Sequence, residues 1–231
     1  MKCSLQFGSE TIDYVLTFSN RKTLGISVSP DLSIQVKAPE NANPKKVKEK
    51  VKAKAPWILK QKSHFLYYHP LSTKKKFVSG ETHLYLGRQY QLKIIKSNYN
   101  EVKFDGRYFM VQCKSKAQVE KLITDWYKFR AKTKFAEIAE PLIYRFAKHK
   151  VAPKNLYIKA MKYRWGSCTA KGNLILNPEL IKAPKPCIEY VIVHELCHLV
   201  HRNHNKKFFE LQEKEMPDWE KWKNKLELLL A

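Results

Sequence analysis

The chain has 231 residues, 44% of them hydrophobic, which is enough for one large domain or two small ones and argues against disorder. Its five cysteines are odd in number and contain no C-x-x-C pair, which excludes a disulfide framework and a cysteine-rich zinc knuckle. No apolar run approaches the roughly 18 residues of a membrane span, no apolar leader opens the chain, and a reducing cytoplasm is the expected setting. Against 21 Asp and Glu stand 44 Lys and Arg, a net charge of +23. Such a field attracts polyanions, so contact with nucleic acid through the basic surface is an open expectation beside a plain solvated helix face.

In chain order, "CSLQFGSETIDYVLTFS" and "TLGISVSPDLSIQVKAP" alternate apolar and polar residues around Gly8-Ser9 and Pro30-Asp31. This predicts a small antiparallel meander. Asn43-Pro44 marks a helix start, and the lysine-rich stretch 45–62 carries Val47, Val51 and Ile58 as its apolar stripe. Pro56 forces a kink or a second start. A further lysine cluster lies at Lys74–Lys76. Strands resume in "THLYLGRQYQLKIIKS" and "EVKFDGRYFMVQC", with Asp105-Gly106 as a hairpin signal. From about Lys116 the period changes to that of a long amphipathic helix reaching about 148, built on Val119, Leu122, Ile123, Trp126, Phe129, Phe135, Ile138, Leu142 and Phe146, and bent or interrupted at Pro141. "NLYIKAM" and "GNLILN" read as strands, Gly166-Ser167 as a turn, and "DWEKWKNKLELLL" as a terminal helix. No internal repeat is visible. The expected fold class is α+β, divided into a β-rich part with a Lys-rich helix (1–115) and a catalytic part (116–231).

The chemistry concentrates in "YVIVHELCHLVHRNHNKKFF", residues 190–209, which holds four of the eight histidines. Histidines four apart stand about 40° apart on a helix, so His194 and His198 can share one ion. Glu195 sits where its carboxylate can reach a water on that ion, and the whole is the H-E-x-x-H helix of zinc metalloproteases. Cys197, one residue before His198 and so 100° from it around the helix, is expected to point toward packed core. A third ligand is needed. His201 falls about 10 Å along the axis from His194 and cannot easily reach the same ion. His204 can if the helix stops near Arg202-Asn203 and the chain reverses, Asn203 being tolerant of the left-handed conformation. A carboxylate among Glu210, Glu213 and Asp218 is the competing choice. The fourth position is then water, whose pKa zinc lowers to about 7 while Glu195 shuttles its proton. Arg164 and Tyr163, just ahead of the strand "NLILN", are candidates to stabilise the oxyanion.

"YRWGSC", "GNLILNPEL" and "IEYVIVHELCHLVHRNHNKKFF" together resemble the YgjP-like metallopeptidase family, related to the WLM and SprT zincins. The likeness extends upstream to "RKTLGISVSPDLSIQVKAP" (21–39), Trp57-Ile58 and "GETHLYLG" (80–87). The resemblance implies a zincin-like metallopeptidase core behind a β-rich N-terminal part, zinc on His194, His198 and His204, and Glu195 as catalytic acid and base. Asn205 stands where the family often has serine, and Phe209 where tryptophan is usual. The expected activity is hydrolysis of a peptide or protein substrate, with the peptide lying along an exposed strand edge for which "GNLILN" is the nearest candidate. Two rivals use the same charge differently: a zinc-dependent nucleotide phosphohydrolase, and a nucleic-acid-associated protease or binding module.

Overall fold

The computed structural model describes residues 1–8, 10–29, 31–66 and 75–230. Ser9, Pro30 and Lys74 therefore lie outside the described residues, and with them parts of two expected turns and of the second lysine cluster. By compactness the chain divides into units 1–73 and 74–230. The change of period at 115/116 is not where this division falls, because it marks only the passage from a sheet to the helix that packs on it.

The first unit holds β1 (Lys2–Phe7), β2 (Glu10–Ser19), β3 (Gly25–Val28) and β4 (Ile34–Pro39), followed by α1 (Pro44–Ala53) and α2 (Ala55–Leu66). The strand order is β1-β2-β4-β3, and β2 runs parallel to β4. It is thus not the meander expected, since short β3 folds back on the outer side of β4 as an edge. Alternation buries Ile12, Tyr14 and Leu16 of β2 and Ile34, Val36 and Ala38 of β4 on one face. Val47, Val51, Ala55 and Ile58 of the helices complete that core. Asn43 starts α1 by accepting from the Lys45 N–H at 2.9 Å. The lysines of α1 lie on its exposed face.

The second unit opens with β5 (Thr82–Tyr85), β6 (Arg88–Lys96), β7 (Glu101–Phe104) and β8 (Tyr108–Cys113), in the order β5-β6-β8-β7. The topology repeats that of the first unit: a hairpin, a parallel crossing, then an antiparallel edge strand. Asp105 forms the β7–β8 turn by accepting from the amides of Arg107 and Tyr108 at 2.8 and 2.7 Å. Then comes α3 (Val119–Phe146), unbroken over 28 residues. Pro141 does not interrupt it, because the ring sits on the exposed side while Ala139, Leu142 and Phe146 are buried on the other. Phe129, expected on the inner stripe, is 66% exposed.

A three-stranded sheet follows, from β9 (Asn155–Ile158), β10 (Gly166–Cys168) and β11 (Asn173–Leu176), then α4 (Lys185–Val200), α5 (Lys206–Glu215) and α6 (Trp219–Leu230). Its order is β10-β11-β9. The expected turn at Gly166-Ser167 is therefore a strand, and "GNLILN" is the middle strand, paired on both sides. The whole unit shares one core, from Leu92 and Phe109 of the sheet through Phe135 of α3 to Ile192 and Leu196 of α4. The β5–β6 turn is stitched to the segment before α4: the Leu86 and Gly87 amides donate to the carbonyls of Ile181 and Lys182 at 2.8 and 3.0 Å. The fold is α+β.

Candidate metal centre

The middle of α4 is buried almost all round, with Val191, Ile192, Val193, Leu196 and Cys197 in the core. This explains the greasy approach to the motif. The helix ends at Val200 because His201 is extended, with φ −127° and ψ 109°. Asn203 is not among the left-handed residues, so the reversal comes from this extended residue and from the tight turn that the Asn205 N–H closes on the Asn203 carbonyl at 2.8 Å. Asn205 then caps α5 by accepting from the Phe208 amide at 3.0 Å.

This path returns His204 to the helix face. Among the described residues, His194, His198 and His204 form a cluster able to hold a metal ion, their ligand nitrogens all within 4.8 Å of one another. His194 Nε2 and His204 Nε2 are 3.0 Å apart, near the roughly 3.4 Å between two nitrogens of a tetrahedral zinc site. Each helical ring is turned so that Nε2 points to the cluster: His194 Nδ1 meets Gln212 Oε1 at 2.8 Å, and His198 Nδ1 meets the His201 carbonyl at 3.2 Å. Burial pushes the His194 imidazole down to about 4, so a neutral ligand is available at neutral pH. The donor set fits a zinc ion. His201 contributes through its backbone, and its imidazole is outside the cluster. Cys197 is also outside it, fully buried, and its thiol is raised to about 12 by burial. The competing carboxylates are engaged elsewhere: Glu210 with Lys206, Glu213 with the Trp219 indole and Asp218 with the Trp222 indole.

Glu195 is buried beside the free edge of β10. Burial raises its carboxyl to about 7, against the hydrogen bond from the Cys168 N–H and the positive charge of Arg164. The fit is close: a Cβ at Gly166 would lie 2.7 Å from Glu195 Oε1 and 2.8 Å from Val191 Cγ1. Only glycine lets this strand approach α4. The backbone of β10 alternates, with Asn177 N donating to the Trp165 carbonyl and Thr169 N to the Asn173 carbonyl, so Gly166 and Cys168 turn their N–H and C=O away from β11. Around the cluster opens a cleft of about 910 Å³, into which Arg164 and Tyr190 also face, whereas Tyr163 is 84% exposed and not part of its wall.

These features agree with the comparison to known families. A family described as "YgjP-like, metallopeptidase domain" matches residues 22–228. The chain belongs to the YgjP-like family. No curated protein matches it. Membership makes it a metallopeptidase at family level, with peptides or proteins as the substrate class and a metal as part of the chemistry. No helix among the described residues is long and apolar enough to cross a membrane.

The two departures from the YgjP-like pattern are conservative in their physics. Asn205 does the capping work of a serine. Phe209 stacks between His204 and Trp219, with centroids 6.0 and 5.8 Å away. Sequence reasoning missed Phe208, Gln212 and Tyr190. Phe208 packs its ring 5.0, 4.7 and 4.7 Å from those of His194, His198 and His204. The missed signal lay in α5, whose inward stripe Phe208, Leu211, Gln212, Glu215 has helical spacing but carries two polar residues. Tyr190 precedes His194 by one turn on the same face, and burial raises its phenol so that it stays a neutral donor.

Proposed function

We propose that the protein is a zinc-dependent peptidase in which His194, His198 and His204 hold the ion and Glu195 is general base and then general acid. The observation that carries the reading is the triad of imidazole nitrogens within 4.8 Å, with Glu195 on the same helix beside a free strand edge. Three neutral nitrogen donors favour zinc over calcium or magnesium, which take oxygen ligands. When bound, zinc supplies a Lewis acid that makes water nucleophilic at neutral pH. Glu195, beside the site, would take a proton from the attacking water and hand it to the leaving amine. Arg164 is assigned to the charge that develops on the carbonyl oxygen; Tyr163 is not retained for that role, being exposed and outside the cleft wall. An extended peptide pairs with the outward groups of β10 other than the Cys168 N–H, which Glu195 holds, and not with β11, whose two edges are taken. Five free thiols support a reducing, cytoplasmic setting.

A second reading keeps the ion and changes the substrate. Lys154, Arg164, Lys171 and Arg202 line the cleft, where Glu195 is the one carboxylate among the lining residues. That set can hold phosphates and supports hydrolysis of a phosphoanhydride such as a nucleotide. Casein-like proteins and a nucleotide panel offered to the same zinc-loaded sample decide between them. The nucleic-acid-associated reading rests on charge alone, since exposed lysines along α1 are equally a plain solvated face.

Glu195→Gln should retain zinc and fold while hydrolysis drops about 10²–10⁴-fold. Undiminished turnover by the purified variant sinks the assignment of Glu195. His204→Ala should lose the metal and His201→Ala should keep about one ion per chain. The reverse pattern in metal analysis would exchange their roles, and retention by both would point to a carboxylate ligand.

A further inference from the structure

Gln212 occupies a position where an apolar residue is expected. It lies on the inner stripe of α5, one turn after Phe208, and is fully buried. Its Oε1 lies 2.8 Å from His194 Nδ1, while its Nε2 is buried with no hydrogen-bond partner. A buried amide that leaves its donors unsatisfied is unfavourable, and it persists where something else constrains it. The constraint here is the tautomer of His194. With Oε1 toward the ring, Nδ1 carries the proton and Nε2 presents its lone pair to the cluster. Turned around, the amide would donate to Nδ1, the imidazole proton would move to Nε2, and that atom could take no ion.

We propose that Gln212 is the positioning residue of the metal site: its amide oxygen fixes the ring orientation and the Nδ1–H tautomer of His194. It acts through His194 alone. His198 is held by a backbone carbonyl, so among the described residues Gln212 is the one side chain whose polar atom orients a helical ligand. The inference rests on the metal assignment proposed above.

The role separates metal affinity from stability, because the residue that orients the ligand is also the one with orphaned donors. Gln212→Leu removes the acceptor and the orphaned N–H groups together, at nearly constant shape. Gln212→Glu keeps an acceptor in the same place. Zinc affinity of the purified full chain is measured by competition with a chromophoric chelator, and the metal-free melting temperature is measured in parallel. The expected result for Gln212→Leu is a 10–100-fold loss of zinc affinity with an unchanged or raised metal-free melting temperature. For Gln212→Glu it is an affinity within about tenfold of wild type. Cobalt substitution gives a further readout, since a reoriented His194 alters the ligand-field spectrum of Gln212→Leu and leaves that of Gln212→Glu close to wild type. Wild-type affinity in Gln212→Leu overturns the proposal. So does a joint loss of affinity and melting temperature in both variants, which would make Gln212 a packing residue. If wild type takes up no zinc, or His204→Ala takes it up equally well, the metal assignment itself has failed and this inference falls with it.

Discussion

The first sheet of each unit is built to the same plan, β1-β2-β4-β3 and β5-β6-β8-β7, yet the two hairpin turns meet different surroundings. Gly8 turns with φ +61° and has nothing within 4 Å of the place a Cβ would take. Gly87 turns with φ +82°, and a Cβ there would lie 2.6 Å from Pro184, the residue that leads into α4. The helices differ likewise. After β4 the chain makes α1 and α2, broken at Lys54, with one apolar stripe for one sheet. After β8 it makes α3, whose first turns cover the sheet and whose later turns, from Ala131 to Phe146, share a core with α4. One layout is complete in itself. The other has become the foundation of the helix that carries His194 and His198, through a longer helix and a pinned turn.

Core truncation tests this contrast most strongly. Phe109→Ala and Ile12→Ala each empty a fully buried position, one in each sheet, and should cost about 3–5 and 2–5 kcal/mol respectively. Phe109→Ala should also lower the temperature at which zinc is released, whereas Ile12→Ala should leave metal affinity at the wild-type value. Parallel calorimetry and metal titration check this, and equal loss of metal in both would erase the distinction between the sheets.

The two hairpin glycines give a smaller contrast. Gly8→Ala bears only the left-handed backbone, about 1 kcal/mol. Gly87→Ala bears that and the collision with Pro184, about 2–4 kcal/mol in all. Equal unfolding midpoints in denaturant for the two variants would mean that the β5–β6 turn is not pinned.

Smallest is the effect at the far end of α3, where Glu215 of α5 meets Lys148 and His149 at 2.9 Å and Arg145 at 3.4 Å. Burial alone would raise this carboxyl, but the hydrogen bonds from His149 and Lys148 outweigh it and hold it below the ordinary range. Its stabilising contribution is therefore in place above the unfolded value of about 4.3 and fades as the pH falls through the lower folded value. Glu215→Gln should cost about 1–2 kcal/mol at pH 7, with the gap to wild type closing in acid. A gap that stays constant from pH 7 to pH 3 would show that charge is not the source.

The motif helix, the terminal helix and the pair His194 and His198 were legible in the sequence because helical spacing states them directly, whereas His204 depended on a chain reversal beyond the helix end. Other features depend on partners that spacing does not name. Gly166-Ser167 has the composition of a turn, and becomes a strand because β11 and α4 lie on either side of it. Pro141 is a local breaker overridden by the buried flank of α3. The repeated sheet plan resides in hydrogen-bond order, which two dissimilar sequences can share. Gln212 was hidden for the opposite reason, since a glutamine in a charged helix looks like surface until the stripe it sits on is known to be inward.

Phe208 has a consequence for how the ion comes and goes. One rigid ring backs all three imidazoles, so the cup has its shape before it is filled. Loading should then resemble seating a guest in a macrocycle more than folding a finger around its metal. Uptake would follow the shedding of water by the incoming ion, and a chelator should empty the cup without melting the helices around it.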